Sequence, residues 1–79
     1  MNSYKISLPN DFQSADDCAA MDEAGESYEE IAIAAKGAGM KYVRDTDYGA
    51  VWSGSESQFL QCVENLPSWA KRYATKEMA

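Results

Sequence analysis

The chain has 79 residues, of which 46% are hydrophobic and only two are proline, so we expect one folded domain over residues 1–79 with a thin core. Seven Lys and Arg against 13 Asp and Glu give a net charge of −6, which disfavours direct binding to nucleic acid because phosphate backbones are also negative. Histidine is absent, which excludes Ser-His-Asp and Cys-His nucleophiles and zinc sites with imidazole ligands.

The first predicted element is a strand over residues 4–8, in which apolar and polar side chains alternate. A short helix is predicted next, from the capping residue Ser14 to about Ala24, with Gly25 as its stop. The apolar stripe of this helix is narrow and consists of Ala15, Cys18 and Met21. We therefore expect the helix to be weakly attached to the core.

A second helix is predicted after Ser27, which repeats the capping signal with an acid three residues later. Apolar residues then recur at intervals of three and four, as expected for one face of a helix. This face consists of Tyr28, Ile31, Ala32 and Ala35. Two glycines, Gly37 and Gly39, end the helix.

Two β-prone runs follow, over residues 40–45 and 50–53. The residues between them include an Asp followed shortly by Gly49, which predicts a hairpin with a three-residue loop. In this loop Gly49 is expected to adopt the left-handed conformation. The register places Tyr42 and Trp52 on the same face of the hairpin.

A third helix is predicted to open at Ser55, where Gln58 completes a capping box. A last helix is expected from Pro67, with Trp69 and Tyr73 packed four residues apart. The element order is then β-α-α-β-β-α-α. Short connections favour an α+β domain in which the first strand adds to the hairpin, giving an antiparallel sheet of about three strands with helices on one face.

The negative charge is concentrated near the front of the chain. Residues 11–30 contain eight acids and no base, whereas the rest of the chain is nearly neutral. The acids are Asp11, Asp16, Asp17, Asp22, Glu23, Glu26, Glu29 and Glu30. One interpretation is a solvated surface that keeps a small protein soluble. The other is a carboxylate surface that docks into a cleft built for phosphates.

In size, acidity and the clustering of acids over residues 11–30, the chain resembles the small acidic phage-encoded anti-defence proteins, which include anti-CRISPR proteins and other DNA mimics. This resemblance implies a stoichiometric inhibitor that blocks a basic, nucleic-acid-binding groove of a nuclease or CRISPR effector complex. It also implies action in the host cytoplasm, without chemistry of its own. The residues expected to face the partner are Asp16, Asp17, Asp22, Glu23, Glu26, Glu29 and Glu30.

An alternative function is a small protein-interaction or accessory module. Exposed aromatic side chains on a sheet are typical anchors of binding surfaces. The candidates here are Tyr42, Tyr48 and Trp52. Packing in the core is the competing explanation for these residues, since a thin core needs its large side chains.

We expect no catalytic residue, metal site or cofactor. Residues 45–56 place acids at three positions of an EF-hand loop, but Ala50 stands where the turn needs Gly, so a hairpin explains the segment better than a calcium site. Cys18 and Cys62 lack C-x-x-C spacing, and the chain shows neither a signal peptide nor a membrane-spanning window. Reduced thiols and a cytoplasmic location are therefore expected.

Overall fold

The structure is a computed structural model that describes residues 2–9 and 14–77. Its strands are β1 (Asn2–Ser7), β2 (Lys41–Asp45), β3 (Gly49–Gly54) and β4 (Ala74–Lys76). Its α-helices are α1 (Ala15–Ala24), α2 (Tyr28–Gly37) and α3 (Glu56–Asn65). The described strands form one antiparallel sheet in the order β2-β3-β1-β4. The predicted α+β class with a small antiparallel sheet is confirmed.

Local capping signals account for the helix boundaries. The Ser14 side chain accepts a backbone N–H of the first turn of α1 at 3.1 Å, and Gly25 ends the helix with a φ of 67°. At α3, Ser55 and Gln58 form the predicted reciprocal capping box. At α2, Ser27 occupies the N-cap position, but its side chain makes no capping hydrogen bond. The helix starts were therefore predictable from short sequence signals.

One side of the sheet carries the hydrophobic core, which α2 and α3 cover. The buried cluster contains Tyr4, Ile6, Ile31, Ala34, Ala35, Met40, Ala50, Trp52, Cys62, Leu66, Trp69 and Ala70. The ring of Tyr4 stacks on Phe59 of α3, with centroids 3.9 Å apart. The rings of Tyr42 and Trp52 meet edge to face at 5.8 Å. Aromatic pairs thus join the sheet to α3 and the edge strand β2 to its neighbour β3.

The hairpin of β2 and β3 forms as predicted, with Tyr42 directly opposite Trp52. The predicted role of Gly49 is wrong, because it does not adopt a positive φ. Gly49 instead lies at the start of β3, where a Cβ atom would collide with the backbone of Ile6 on β1. The glycine is therefore required by the close approach of two strands rather than by the turn.

The segment after α3 differs from the prediction. In the described residues from Pro67 onward there is no α-helix; a turn leads into a 3-10 helix at Lys71–Tyr73 and then into β4. β4 pairs with β1 over three residues and adds a fourth strand to the sheet. The outer edge of β1 offers backbone hydrogen bonds that a short last helix would leave unmade. The core still buries Trp69, which is 2% exposed.

The other side of the sheet carries basic residues around the buried side chain of Val51. Successive side chains of a strand point to opposite sides of the sheet. Lys5, Lys41 and Arg44 are neighbours of core-side residues on their own strands, or pair with such neighbours, so the register places them on this side. Arg44 pairs with Glu77 at 2.5 Å. Since β2 and β4 are the two outer strands, this ion pair crosses β3 and β1. These three bases thus lie on the side away from the core, whereas Lys76 of β4 pairs with Tyr4 on the core side.

Candidate functional site

The outer side of α1 carries three carboxylates. Among the ten described residues of this helix, none is fully buried. Asp16, Asp22 and Glu23 are exposed, and at roughly 100° of rotation per residue they fall within an arc of about 120°. Glu29, in the first turn of α2, is also exposed. We call Asp16, Asp22, Glu23 and Glu29 the exposed helix acids.

The inner side of α1 is held by polar contacts with the C-terminal segment. Asp17 accepts a hydrogen bond from the Tyr73 hydroxyl at 2.7 Å and lies 3.3 Å from Nε of Arg72. Burial raises the pKa of Tyr73, and its hydrogen bond to Asp17 raises it further. Just after α1, Glu26 accepts a hydrogen bond from the indole N–H of the buried Trp69 at 2.9 Å. These two carboxylates join α1 to the C-terminal segment, and Ala20 and Met21 pack partly buried against the core.

The structure corrects the predicted set of partner-facing acids at two positions. Asp17 and Glu26 are engaged inside the fold, because an arginine and two aromatic side chains from the C-terminal segment reach them. Glu30 is half-buried. The exposed helix acids form no ion pair with any residue in the described ranges. Asp11 lies outside the described residues.

A cleft of about 280 Å³ lies between the N-terminus of α2 and the loop that joins β2 to β3. Its walls are formed by Leu8, Tyr28, Asp45, Thr46, Asp47, Tyr48 and Gly49. The described lining therefore combines two carboxylates, two tyrosine rings and a threonine hydroxyl, and it includes no Lys or Arg. We call this the hairpin cleft.

Three buried polar atoms at or beside the hairpin cleft have no hydrogen-bond partner among the described residues: the Tyr28 hydroxyl, Oγ1 of Thr46 and Nε1 of Trp52. Burial raises the pKa of Tyr28, and the Asp45 carboxylate raises it further. The Trp52 indole N–H lowers the pKa of Tyr28. It therefore lies close to the Tyr28 hydroxyl, although the two groups do not meet the geometry of a hydrogen bond. The Asp45 carboxylate also raises the pKa of Tyr42, mainly through a side-chain hydrogen bond.

For Trp52 the competing explanation, packing in the core, holds. This side chain is 2% exposed because β3 is an inner strand whose core-facing side lies under the helices. Tyr42 is 52% exposed and packs on the edge of Trp52, and Tyr48 in the hairpin loop is 50% exposed. Two of the three predicted aromatics are therefore accessible, and one of them, Tyr48, lines the hairpin cleft.

The hairpin cleft was not predicted. Asp47 was expected in the hairpin turn, and Asp45 and Asp47 were weighed as calcium ligands; no group of three or more His, Cys, Asp or Glu in the described ranges could hold a metal ion. Two acids and a tyrosine in a short hairpin loop are a weak signal for a binding loop. No local pattern indicates that Tyr28, which is 17 residues earlier than Asp45, faces this loop.

Comparisons with protein-family models, with curated proteins and with solved structures find no match to this chain. Inference about function therefore depends on the chemistry of the exposed helix acids and of the hairpin cleft. No helix in the described part of the chain combines the length and the apolar character needed to cross a membrane.

Proposed function

We propose that this protein is a non-enzymatic binding protein whose exposed helix acids occupy a basic, nucleic-acid-binding groove of a partner protein. The mode of action is that of the anti-CRISPR and DNA-mimic inhibitors that the sequence resembles. The observation that supports it most directly is the outer side of α1. There Asp16, Asp22 and Glu23 lie together, exposed and without a basic partner among the described residues. Such a surface attracts Lys and Arg side chains that otherwise bind phosphates.

The attachment of α1 also supports this proposal. A helix kept for stability alone is expected to bury a wide apolar stripe, whereas α1 buries none of its ten described residues fully. Only Ala20 and Met21 pack, partly buried, against the core, and the rest of the helix presents an outer surface of acids and the inner contact of Asp17. The bases Lys5 and Lys41 lie on the side of the sheet away from the core, and Arg44 on that side is paired with Glu77.

Charge reversal with a matched control tests the proposal. The tagged protein is used to capture partners from bacterial lysate at about 0.05 M and about 0.5 M salt, and each captured protein is assayed for nucleic-acid binding with and without added inhibitor. Asp22→Lys/Glu23→Lys removes two exposed helix acids, and Glu56→Lys/Glu64→Lys makes the same change of net charge on α3, where both acids are exposed.

We expect a nucleic-acid-binding protein to be captured at low salt, to be released at high salt, and to lose its nucleic acid when the inhibitor is added. The α1 variant should fail to capture it, and the α3 variant should retain it. Equal capture by the two variants, or capture that does not respond to salt, would contradict the proposal and favour the interpretation of the acids as a solubility surface.

A second candidate function, an interaction module that binds through aromatics, is supported by the half-exposed side chains of Tyr42 and Tyr48. Such binding would depend little on salt, because it would bury apolar surface. Tyr48→Ala is the informative variant, since Tyr48 lies in a loop and Tyr42 also covers Trp52. Salt-resistant capture that Tyr48→Ala abolishes would favour this function over the acidic inhibitor.

A further inference from the structure

We infer that a small pocket on the side of the sheet away from the core binds a phosphate group, either as inorganic phosphate or as the phosphoryl group of a small phosphate ester. The pocket has a volume of about 190 Å³, and its described lining consists of Lys5, Ser7, Arg72, Tyr73 and Thr75. We call it the basic pocket. The inference goes beyond the proposed function and does not depend on the exposed helix acids.

The sheet register brings the lining of the basic pocket together from the two ends of the chain. Lys5 and Ser7 lie two residues apart on β1, so their side chains point to the same side of the sheet. Thr75 of β4 pairs with Lys5 and shares that side. Arg72 and Tyr73 belong to the 3-10 helix that leads directly into β4. The pairing of β4 with β1 therefore creates the pocket.

The described lining of the basic pocket carries two positive charges and no carboxylate. Lys5 is exposed and forms no ion pair with any residue in the described ranges. Arg72 is held by Asp17, whose Oδ2 lies 3.3 Å from Nε of the guanidinium. This contact uses one edge of the guanidinium and leaves its terminal amino groups to donate to another acceptor. Two bases from different elements thus meet at one pocket, and an anion is the ligand that they attract.

The buried hydroxyl of Ser7 is the second observation that points to a ligand. Ser7 is 7% exposed and lines the basic pocket. Its side chain makes no hydrogen bond to another residue in the described part of the chain. Buried polar groups of folded proteins nearly always have a hydrogen-bond partner. A phosphate oxygen in the pocket would accept a hydrogen bond from this hydroxyl and from that of Thr75.

The size and the set of donors favour a small phosphate over other anions. A phosphate monoester carries a charge of about −1.5 to −2 and three acceptor oxygens, which match two bases and two hydroxyls better than a carboxylate does. The volume of about 190 Å³ lies below the roughly 300–1,000 Å³ of pockets for drug-sized ligands, so it suits a phosphate group better than a nucleotide. The net charge of −6 also disfavours a polyanion such as nucleic acid.

A titration of the purified full-length protein with sodium phosphate tests the inference. Sodium acetate is the comparison anion, and sodium chloride keeps the ionic strength constant so that screening of charge is the same in every sample. Binding is followed by the backbone amide NMR signals of Ser7 and Thr75. Lys5→Gln and Ser7→Ala are the test variants. Lys41→Gln is the matched control, because it removes an exposed base on the same side of the sheet but outside the basic pocket.

We expect saturable shifts with a Kd for phosphate on the order of 1 mM, and binding of acetate at least about tenfold weaker. Lys5→Gln should weaken phosphate binding about tenfold and Ser7→Ala about threefold, whereas Lys41→Gln should change it less than about twofold. Shifts that do not saturate, equal losses in Lys5→Gln and Lys41→Gln, or unchanged binding in Ser7→Ala would overturn the inference. Amide spectra of each variant without phosphate establish that the fold is intact.

The source of the phosphate group is distinguished by a second titration with N-acetyl-phosphoserine amide. Tighter binding of this ester than of inorganic phosphate would assign the basic pocket to a phosphoryl group on an organic molecule. Tighter binding of inorganic phosphate would assign it to the free anion. Either result supports the inference, and binding of neither compound would overturn it. Capture of a partner through the exposed helix acids is a separate measurement, so the two proposals stand or fall independently.

Discussion

α1 and α3 each contain ten residues but are attached to the molecule in different ways. α3 begins with a complete capping box, stacks Phe59 on Tyr4 and buries Cys62, and the buried Leu66 follows at its end. α1 buries no described residue fully; it contacts the molecule through the carboxylate of Asp17 and through the partly buried Ala20 and Met21. The difference teaches that the described core is built by the sheet, α2 and α3, whereas α1 adds only partly buried side chains to it and presents its acids to solvent.

The largest expected effect is on the side of α3. Leu66→Ala should lower the free energy of unfolding by about 2–5 kcal/mol, because Leu66 is 3% exposed and its loss leaves a cavity in the core. Leu60→Ala, on the outer side of α3 at 59% exposure, should change it by less than about 0.5 kcal/mol. Urea denaturation measures both. Similar losses in the two variants would mean that α3 is not a core helix.

A pH titration of stability sharpens the same comparison. Burial raises the pKa of the Cys62 thiol from 9.0 to about 11. Between these pH values the unfolded chain releases the proton and the folded chain keeps it, so the contribution is complete below pH 9 and is lost as pH rises to about 11. We expect a loss on the order of 2 kcal/mol from this group.

Cys62→Ala is the control for this titration, because the tyrosines ionise in both proteins and only the thiol differs. The wild type should lose stability more steeply than the variant over this range of pH, as followed by urea denaturation at successive pH values. Parallel curves would mean that the thiol of α3 is accessible to water when the protein is folded.

The anchor of α1 should have a smaller effect. Asp17→Asn weakens the contacts with Arg72 and Tyr73, so we expect a loss of about 1–2 kcal/mol in the free energy of unfolding. Asp16→Asn changes the neighbouring acid in the same first turn, which is exposed, and should cost about 0.5 kcal/mol or less. Thermal denaturation compares them. If Asp16→Asn costs as much as Asp17→Asn, the anchor has been assigned to the wrong residue.

The smallest expected effect on stability is in the hairpin cleft. Tyr28→Phe removes a hydroxyl that makes no hydrogen bond to the described residues, so the free energy of unfolding should change by less than about 0.5 kcal/mol or rise slightly. Thermal denaturation of the variant measures this. A large loss of stability would show that the hydroxyl is structurally bonded.

Local signals explain why most of the fold was predictable. Caps at Ser14 and Ser55, the stop at Gly25 and the pairing of Tyr42 with Trp52 all depend on residues close in sequence or on one hairpin register. β4 was not predictable, because three residues are too few to show an alternation of apolar and polar side chains. The strand forms only by pairing with β1, about 70 residues earlier.

The candidate site was predictable only in part. The acidic segment is a property of composition, and the exposure of Asp16 and Glu23 follows from the narrow apolar stripe of α1. Asp17 is engaged by Arg72 and Tyr73, and Glu26 is engaged by Trp69. These three partners were expected in a last α-helix that does not form, so their contacts could not be predicted. The same limit applies to the hairpin cleft, because it exists only where tertiary packing brings α2 to the hairpin loop.

The backbone contact at Gly49 also bears on how this sequence can vary. A side chain there would push β3 away from Ile6 and disturb the central pair of strands, so natural variants with this hairpin should keep glycine at that position without exception. Positions 16, 22, 23 and 29 face solvent and should exchange freely between aspartate and glutamate. Diverged homologues should then keep glycine at position 49 and exchange acids at the other four positions. Backbone geometry would restrict the first position, and charge alone would restrict the others.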